Sequence, residues 1–386
     1  MRFEFATAAR IVFGGGAAKE VAPAARQMGS RALLVWGLPA KKAEWMAGEL
    51  EAAGVACVRF AVEGEPTIEM VRQGAAAARE QACDMVVGFG GGSAVDAAKA
   101  IAAIVSNGGD PLDYLEVIGQ GRPLALPSLP FIAVPTTAGT GAEVTRNAVL
   151  ASPEEKVKAS LRSPHMLARL AVVDPELTLD LPPAVTASTG LDALTQLIEP
   201  YVSIRANPMT DMLCAEGIRR AARSLCRAFR DGGDREARTD MALASLLGGL
   251  ALANAGLGAV HGFAAPVGGM FDAPHGALCA ALLAPVMETN IRALRARAPQ
   301  SEALRRYDVV AQLLTGNPAA RADEGVEWVK HTCAELKIPP LAAYGIGPDD
   351  TSTVVEKAAR ASSMKGNPIV LTADELIEIL VMAGAR

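Results

Sequence analysis

His261 and His275 are two of only four histidines in 386 residues, and both fall in one stretch, HGFAAPVGGMFDAPHG. His261 closes a helix-like run of small residues, LLGGLALANAGLGAVH. Gly268, Gly269, Asp272 and Pro274 then supply turn chemistry ahead of His275, so the chain is expected to double back and bring the two imidazoles together. A transition metal needs further donors. In STGLDALTQLIEPYVS, Asp192 and Gln196 stand four apart, which puts them on one helical face. Together the four side chains would offer one carboxylate, one amide oxygen and two imidazole nitrogens. A hydrogen-bonded core histidine and a solvated Asp/Gln face are the ordinary alternatives for such residues, so spacing here does not decide between them.

Two further stretches have the residues for phosphate chemistry. The strand-like MVVGF runs into GGGSAVDAAKAIA, where Gly90, Gly91 and Gly92 let the backbone turn and approach a ligand just as a helix begins. A helix N-terminus presents free N–H groups and partial positive charge, which suits a pyrophosphate. Ser93 then caps the helix or binds phosphate, and Asp96 caps it or holds a ribose or amide; an ordinary capping pair is the competing reading. The second stretch, PTTAGTGAEVT, places Thr136, Thr137, Thr140 and Thr145 in one strand-end loop. Two such loops in one α/β domain point to a dinucleotide. Neither is a GxGxxG at the first strand, so an ordinary Rossmann domain is not expected.

The elements that must position these groups follow from the hydrophobic pattern. ARIVFGG, RALLVWG, ACVRFAV, MVVGFGGGS, PFIAVPTT and LAVVDPEL read as strands, separated by helical patterns such as KKAEWMAGELEAAG and TIEMVRQGAAAAREQA. That alternation predicts a largely parallel sheet. After the Pro-rich entry LTLDLPPAVTASTG the pattern is helical nearly to the end. The expectation is a dinucleotide-binding α/β domain over residues 1–178 and a helical metal-binding domain over residues 179–386, with the chemistry in the cleft between them.

Composition narrows the function class. A 51% hydrophobic fraction and a formal charge of −5 suit a globular chain and argue against nucleic-acid binding by the whole chain. Six cysteines without a CxxC read as reduced thiols. The N-terminus lacks the pattern of an export signal, so a cytoplasmic protein is expected. The charge-free stretch between Asp240 and Asp272 carries Asn254, His261, Pro266 and many glycines, which suits a packed helix at a polar site better than a membrane span.

Taken together, these stretches resemble the iron-containing (group III) alcohol dehydrogenase family over essentially the whole chain. GGGSAVDAAKAIA and PTTAGTGAEVT resemble its cofactor loops, GLDALTQLIEPYVS and HGFAAPVGGMFDAPHG its metal segments, and SSMKGNPIVLTADELIEIL its final helix entry. The resemblance implies NAD or NADP and a divalent metal, iron(II) with zinc as the alternative. It places Asp192, His261 and His275 on metal-ligand positions, through which they act in catalysis. Gly91, Gly92, Ser93, Asp96, Thr136, Thr137, Thr140 and Thr145 fall on the cofactor loops, and Lys158 on a lysine near the ribose. It also implies a homodimer or larger assembly.

Three departures from that pattern bear on chemistry. Gln196 stands at a metal-binding histidine position, where its amide oxygen remains a possible but weaker ligand for iron or zinc. Ala265 replaces a histidine near the proton route, leaving a water chain or a cofactor hydroxyl to carry the proton. Gly37 follows RALLVW where NAD-preferring members carry an aspartate, so a 2′-phosphate is not repelled, and Lys41 or Lys42 is placed to meet it. The implied activity is metal-assisted hydride transfer between an alcohol and an aldehyde or ketone. The alternatives are a metal-independent reductase of an unsaturated keto acid, resembling maleylacetate reductases, a lyase resembling dehydroquinate synthase, and a protein that binds nucleotide without turnover.

Overall fold

The structure, a computed structural model, describes residues 2–37 and 40–385. Its chain divides into two compact units, one of Phe5–Thr137 with Gly141–Thr178 and one of Leu179–Arg386 with Ala138–Thr140 and the first few residues.

The first unit is built on a six-stranded parallel sheet. In chain order its strands are β1 (Ile11–Phe13), β2 (Arg31–Trp36), β3 (Ala56–Ala61), β4 (Met85–Gly90), β5 (Phe131–Pro135) and, after a separate hairpin of β6 (Asn147–Ser152) and β7 (Val157–Arg162), β8 (Leu170–Val173). The spatial order is β1-β8-β5-β4-β2-β3. Helices α1 (Val21–Met28), α2 (Ala40–Ala52), α3 (Ile68–Glu80), α4 (Gly92–Asn107) and the short α5 (Pro111–Tyr114) connect them. Strands β4 and β5 are buried along their whole length, which explains their unbroken apolar runs: a parallel sheet covered on both faces leaves no face to be polar. Leu34, Val87, Val134 and Val172 pack with α1 and α2 residues, while Gly88 on the alternate face lies close enough to Ala98 of α4 that an added Cβ would clash.

Chain order reverses around β2, because β3 lies on one side of it and β4 on the other. At such a switch point the connecting segments diverge and leave a crevice beyond the carboxyl ends of the strands. Gly37 ends β2 there and donates its N–H to Phe89 O of β4 at 3.2 Å.

The β6–β7 hairpin departs from the sequence reading, which placed no strand between residues 136 and 169. Its signal was present: NAVLAS buries alternate residues, and the turn that follows it holds Pro153 and Lys156, the latter at φ 50°.

The second unit is helical: α6 (Pro183–Val202), α7 (Pro208–Arg230), α8 (Arg235–Ala255), α9 (Ala259–Met270), α10 (His275–Arg297), α11 (Glu302–Thr315), α12 (Ala322–Glu335), α13 (Thr351–Arg360) and α14 (Ala373–Met382). Leu191, Leu194, Leu197 and Ile198 of α6 pack with Ile218 and Leu225 of α7, Phe263 of α9, and Leu278, Leu282 and Leu283 of α10 in one core. The arginines of the basic-looking run Ile218–Arg230 lie on the polar side of α7, with Arg220 and Arg223 both bonded to the buried carboxylate of Asp240. Among the described residues α10 has the length and composition to cross a membrane, but 78% of its most apolar window is buried in the protein.

One sequence expectation is corrected here. His261 does not close a helix running through LLGGLALANAGLGAVH. Helix α8 stops at Ala255, Gly256 takes φ 71°, and the chain turns 98° into α9, so His261 sits in the first turn of a new helix. Gly268 and Gly269 belong to α9 rather than to the turn, which is made by Phe271–Pro274.

Candidate active site

Helices α6, α9 and α10 bring Asp192, His261 and His275 together. Asp192 Oδ1 lies 3.4 Å from His261 Nε2 and 3.8 Å from His275 Nε2, and the two imidazole rings are 5.4 Å apart. The approach of α10 depends on Gly276: a Cβ there would fall 2.5 Å from Ser188 O of α6, so a larger residue would push His275 away from Asp192. Asp192 and His261 are buried, whereas the side chain of His275 is 32% exposed and marks the side from which the cluster is reached.

Glu199 fixes the direction in which His261 presents its lone pair. Its Oε2 is 2.6 Å from His261 Nδ1 and its Oε1 accepts the Val260 N–H at 2.7 Å, so both carboxylate oxygens are engaged. In the neutral ring, an Nδ1 that donates to Glu199 leaves Nε2 as the unprotonated nitrogen, facing Asp192. The sequence reading passed over Glu199, although the i, i+7 spacing from Asp192 puts it on the same side of α6. Behind it, Asn367 Oδ1 accepts the Ala259 N–H at 3.2 Å and an amide N–H of Asn290 at 3.1 Å.

Two buried oxygens in this cluster, Asp192 Oδ1 and Gln196 Oε1, have no hydrogen-bond partner. Leaving such groups unpaired costs about 1–3 kcal/mol each, so the arrangement makes physical sense around a cation. Burial works to raise the Asp192 carboxyl, but His261, His275 and Gln196 outweigh it and hold it below the usual range. Burial likewise opposes charge on His261, yet Cys279, Glu199 and Asp192 together push it well above the ordinary imidazole value. A cluster that concentrates negative potential on two imidazoles is suited to a divalent ion, and the donor set fits one.

Cys279 also belongs to this group: donor atoms of Asp192, His261, His275 and Cys279 all lie within 4.8 Å of one another. The sequence reading placed it among reduced, mostly buried thiols. Its spacing of four from His275 on a helix was the available signal. Ala265, four residues after His261 on α9, offers no titratable atom, and Phe263 is fully buried in the helical core.

In the α/β unit, Gly37, Gly91, Gly92, Ser93, Thr136 and Thr137 all lie at the carboxyl ends of β2, β4 and β5, which are adjacent strands. Gly91 is the N-cap of α4 and no side chain caps that helix, so its first N–H groups are not committed to Ser93 or Asp96. A Cβ on Gly90 would lie 2.9 Å from Gly37 N, so the two strand ends abut as bare backbone. Bare backbone beside an uncapped helix N-terminus is an arrangement able to receive an anionic group.

The remaining loop residues have structural partners. Asp96 Oδ2 accepts the Val149 N–H of β6 at 2.9 Å, and its Oδ1 lies 3.4 Å from Lys99 Nζ. Thr145 Oγ1 accepts from Lys99 at 2.9 Å. Lys99, which the sequence reading passed over, is buried and also donates to Ala142 O and Asn147 O, tying the threonine loop to α4. Thr140 belongs to the segment that packs with the helical unit. Lys158 Nζ, in β7, lies 3.1 Å from the Glu65 carboxylate. Of the two lysines beyond Gly37, Lys42 donates to Leu177 O at 2.6 Å and Lys41 is exposed.

This combination of glycine-rich strand ends opening into a helix with an Asp/His donor cluster on helices agrees with what sequence and structure comparison finds. Residues 8–175 match the family described as iron-containing alcohol dehydrogenase, and residues 186–384 match the C-terminal domain of the Fe-containing alcohol dehydrogenase family. Alcohol dehydrogenase 4 of Schizosaccharomyces pombe is 39% identical over 323 residues, covering 83% of this chain and 74% of the relative. The crystal structure of a 1,3-propanediol oxidoreductase superposes with a TM-score of 0.92 at 33% identity, covering 99% of this chain and 100% of the other. That of sulfoacetaldehyde reductase from Bifidobacterium kashiwanohense, in complex with NAD+, superposes with a TM-score of 0.86 at 28% identity, with full coverage of both chains. The chain belongs to the iron-containing alcohol dehydrogenase family. Its activity is NAD-dependent interconversion of an alcohol and an aldehyde or ketone.

Proposed function

We propose that Asp192, His261 and His275 hold a divalent ion, iron(II) or zinc, with the Gln196 amide oxygen available to the same ion. The observation that carries this reading is the convergence of the three donors around the unpaired Asp192 Oδ1. A bound ion would polarise the carbonyl oxygen and stabilise the alkoxide charge that develops there, while a nicotinamide cofactor supplies or accepts the hydride.

The chain's own residues do the positioning. Glu199 holds the His261 Nδ1 proton and so keeps Nε2 as the donor atom. Asp192 supplies a carboxylate, and Gly276 lets α10 approach closely enough for His275 to join it. Because Ala265 has no proton to give, the alcohol proton passes through water or a cofactor hydroxyl. Backbone amides at the start of α4, with Ser93, take the pyrophosphate, and the loop of Thr136, Thr137, Thr140 and Thr145, held by Lys99 and Asp96, borders the nucleotide. Lys158 stands by the ribose. Gly37 carries no carboxylate to repel a 2′-phosphate, so NADP(H) is accepted as well as NAD(H).

The substrate is a small alcohol or its carbonyl partner, and the enzyme works as a homodimer or larger homo-oligomer in the cytoplasm, a reducing compartment suited to six unpaired cysteines. The test is metal content of protein purified without chelator or a metal-binding tag, read with aldehyde reduction by NADH and NADPH before and after chelation. Near-stoichiometric metal, with activity lost on chelation and restored by adding it back, is expected. Metal-free protein that still reduces a substrate would overturn the metal reading in favour of a metal-independent reductase.

A further inference from the structure

Cys279 lies one helical turn after His275 on α10, with no exposed surface. Its Sγ is 3.7 Å from His275 Nε2 and 3.8 Å from His261 Nε2. A single S–H proton can serve only one of these nitrogens, and the sulfur is almost equally far from both. The His261 Nε2 lone pair is already aimed inward, because Nδ1 donates to Glu199.

The distances have the size expected of a ligand polyhedron. Bonds of about 2.0–2.1 Å to nitrogen or oxygen and about 2.3 Å to sulfur give tetrahedral edges of roughly 3.3–3.4 Å between nitrogen and oxygen donors and roughly 3.6 Å from the sulfur to either. The separations in the structure are 3.4 Å from Asp192 Oδ1 to His261 Nε2, 3.8 Å from Asp192 Oδ1 to His275 Nε2, and 3.8 and 3.7 Å from the sulfur to the two imidazoles, so each matches its edge or exceeds it slightly. The unpaired Oδ1 of Asp192, itself buried, is an independent sign that the group surrounds a cation.

We infer that Cys279 is a direct ligand of the ion, completing a set of one carboxylate, two imidazoles and one thiolate. This rests on the proposal that an ion is bound here at all. On binding, the S–H bond breaks, the S–metal bond forms and the proton leaves to solvent, with no change of oxidation state. Gln196 then lies outside the tetrahedron. The thiolate has two consequences. A doubly charged ion held by a carboxylate and a thiolate is formally neutralised, which a set ending in the neutral Gln196 amide would not achieve. A soft sulfur donor also favours zinc over magnesium or manganese, which prefer oxygen.

The test is X-ray absorption at the zinc edge on the purified, zinc-loaded full-length protein, with the cobalt(II)-substituted protein as a second probe. One sulfur scatterer at about 2.3 Å is expected in the unaltered protein and in Cys226→Ser, and none in Cys279→Ser. The cobalt form should show a near-ultraviolet thiolate-to-metal band that Cys279→Ser lacks, and zinc affinity of that variant should fall tenfold or more. Fully loaded, unaltered protein with only nitrogen and oxygen scatterers would overturn the inference while leaving the ion site itself intact. Protein that takes up no zinc or cobalt would overturn both. The spectrum of the unaltered protein decides the question if Cys279→Ser does not fold.

Discussion

The Nδ1 of His261 and the Oε2 of Glu199 are 2.6 Å apart, both buried, on helices whose residues are separated by 62 positions in sequence. This contact makes His261 a directed donor rather than a ring of undetermined tautomer. Carboxylate partners of this kind raise ligand basicity, and their loss typically costs 10–100-fold in metal affinity.

Glu199→Gln keeps the shape but has one acceptor where two are used, by Val260 N–H and by His261. It is expected to weaken zinc binding about 10–100-fold and to lower stability by about 1–3 kcal/mol. Competition against a chromophoric chelator measures the first and urea denaturation the second. Unchanged zinc affinity would show that His261 is oriented without Glu199.

Lys99 is the counterpart in the α/β unit. Its ammonium donates to Ala142 O, Thr145 Oγ1 and Asn147 O and lies beside Asp96. Lys99→Met removes the donors and leaves buried carbonyls and a mostly buried carboxylate without their cation, so a loss of about 3–5 kcal/mol is expected. Because the loop it holds carries Thr136 and Thr137, NADH should bind more weakly in what remains folded. Calorimetry on the variant at low temperature separates the two effects. Equal cofactor affinity would mean the loop keeps its shape unaided.

Much of this was legible in the sequence, for local reasons. The inner strands β2, β4, β5 and β8 stand out because each is an apolar run buried in the sheet. Asp192, His261 and His275, which the structure brings together, could be picked out because the histidines are rare and Asp192 shares a helical face with Gln196. What escaped was non-local. Glu199 looks like any acidic residue on α6 until His261 is brought against it, Lys99 looks like a surface lysine in an alanine-rich helix, and Cys279 carries no motif. The placement of His261 was misread because small residues continue without a change of character across Gly256, where the chain turns 98°. Apolar periodicity reports which face is buried, and a reorientation between two equally apolar helices leaves that signal intact.

Gly37 tests cofactor preference. A Cβ built there meets only Ala94 Cβ, at 3.7 Å, an ordinary contact, so the first atom of a side chain is accommodated. Gly37→Asp is expected to lower kcat/KM for NADPH by about tenfold or more, equivalent to at least about 1.4 kcal/mol, while leaving that for NADH unchanged or higher. Steady-state kinetics with both cofactors provides the check. An equal loss with both would point to steric damage and argue against a ribose-binding role for this position.

Glu143, in the short turn after Gly141, gives a pH dependence. It is buried, its Oε2 has no hydrogen-bond partner, and burial raises its carboxyl to about 7, against the smaller opposing effects of its own backbone N–H and Lys99. For an acid whose native value lies above its unfolded one, the native state holds the proton more tightly, so stability falls as pH rises between the two values. The shift from 4.5 to about 7 amounts to roughly 3 kcal/mol lost across that interval. Glu143→Gln carries no charge to bury. Relative to the unaltered protein it should gain stability from pH 5 to pH 8, by up to about 3 kcal/mol, in urea denaturation at the two pH values. A constant difference between the two proteins would mean that Glu143 ionises in the folded state as readily as in the unfolded chain.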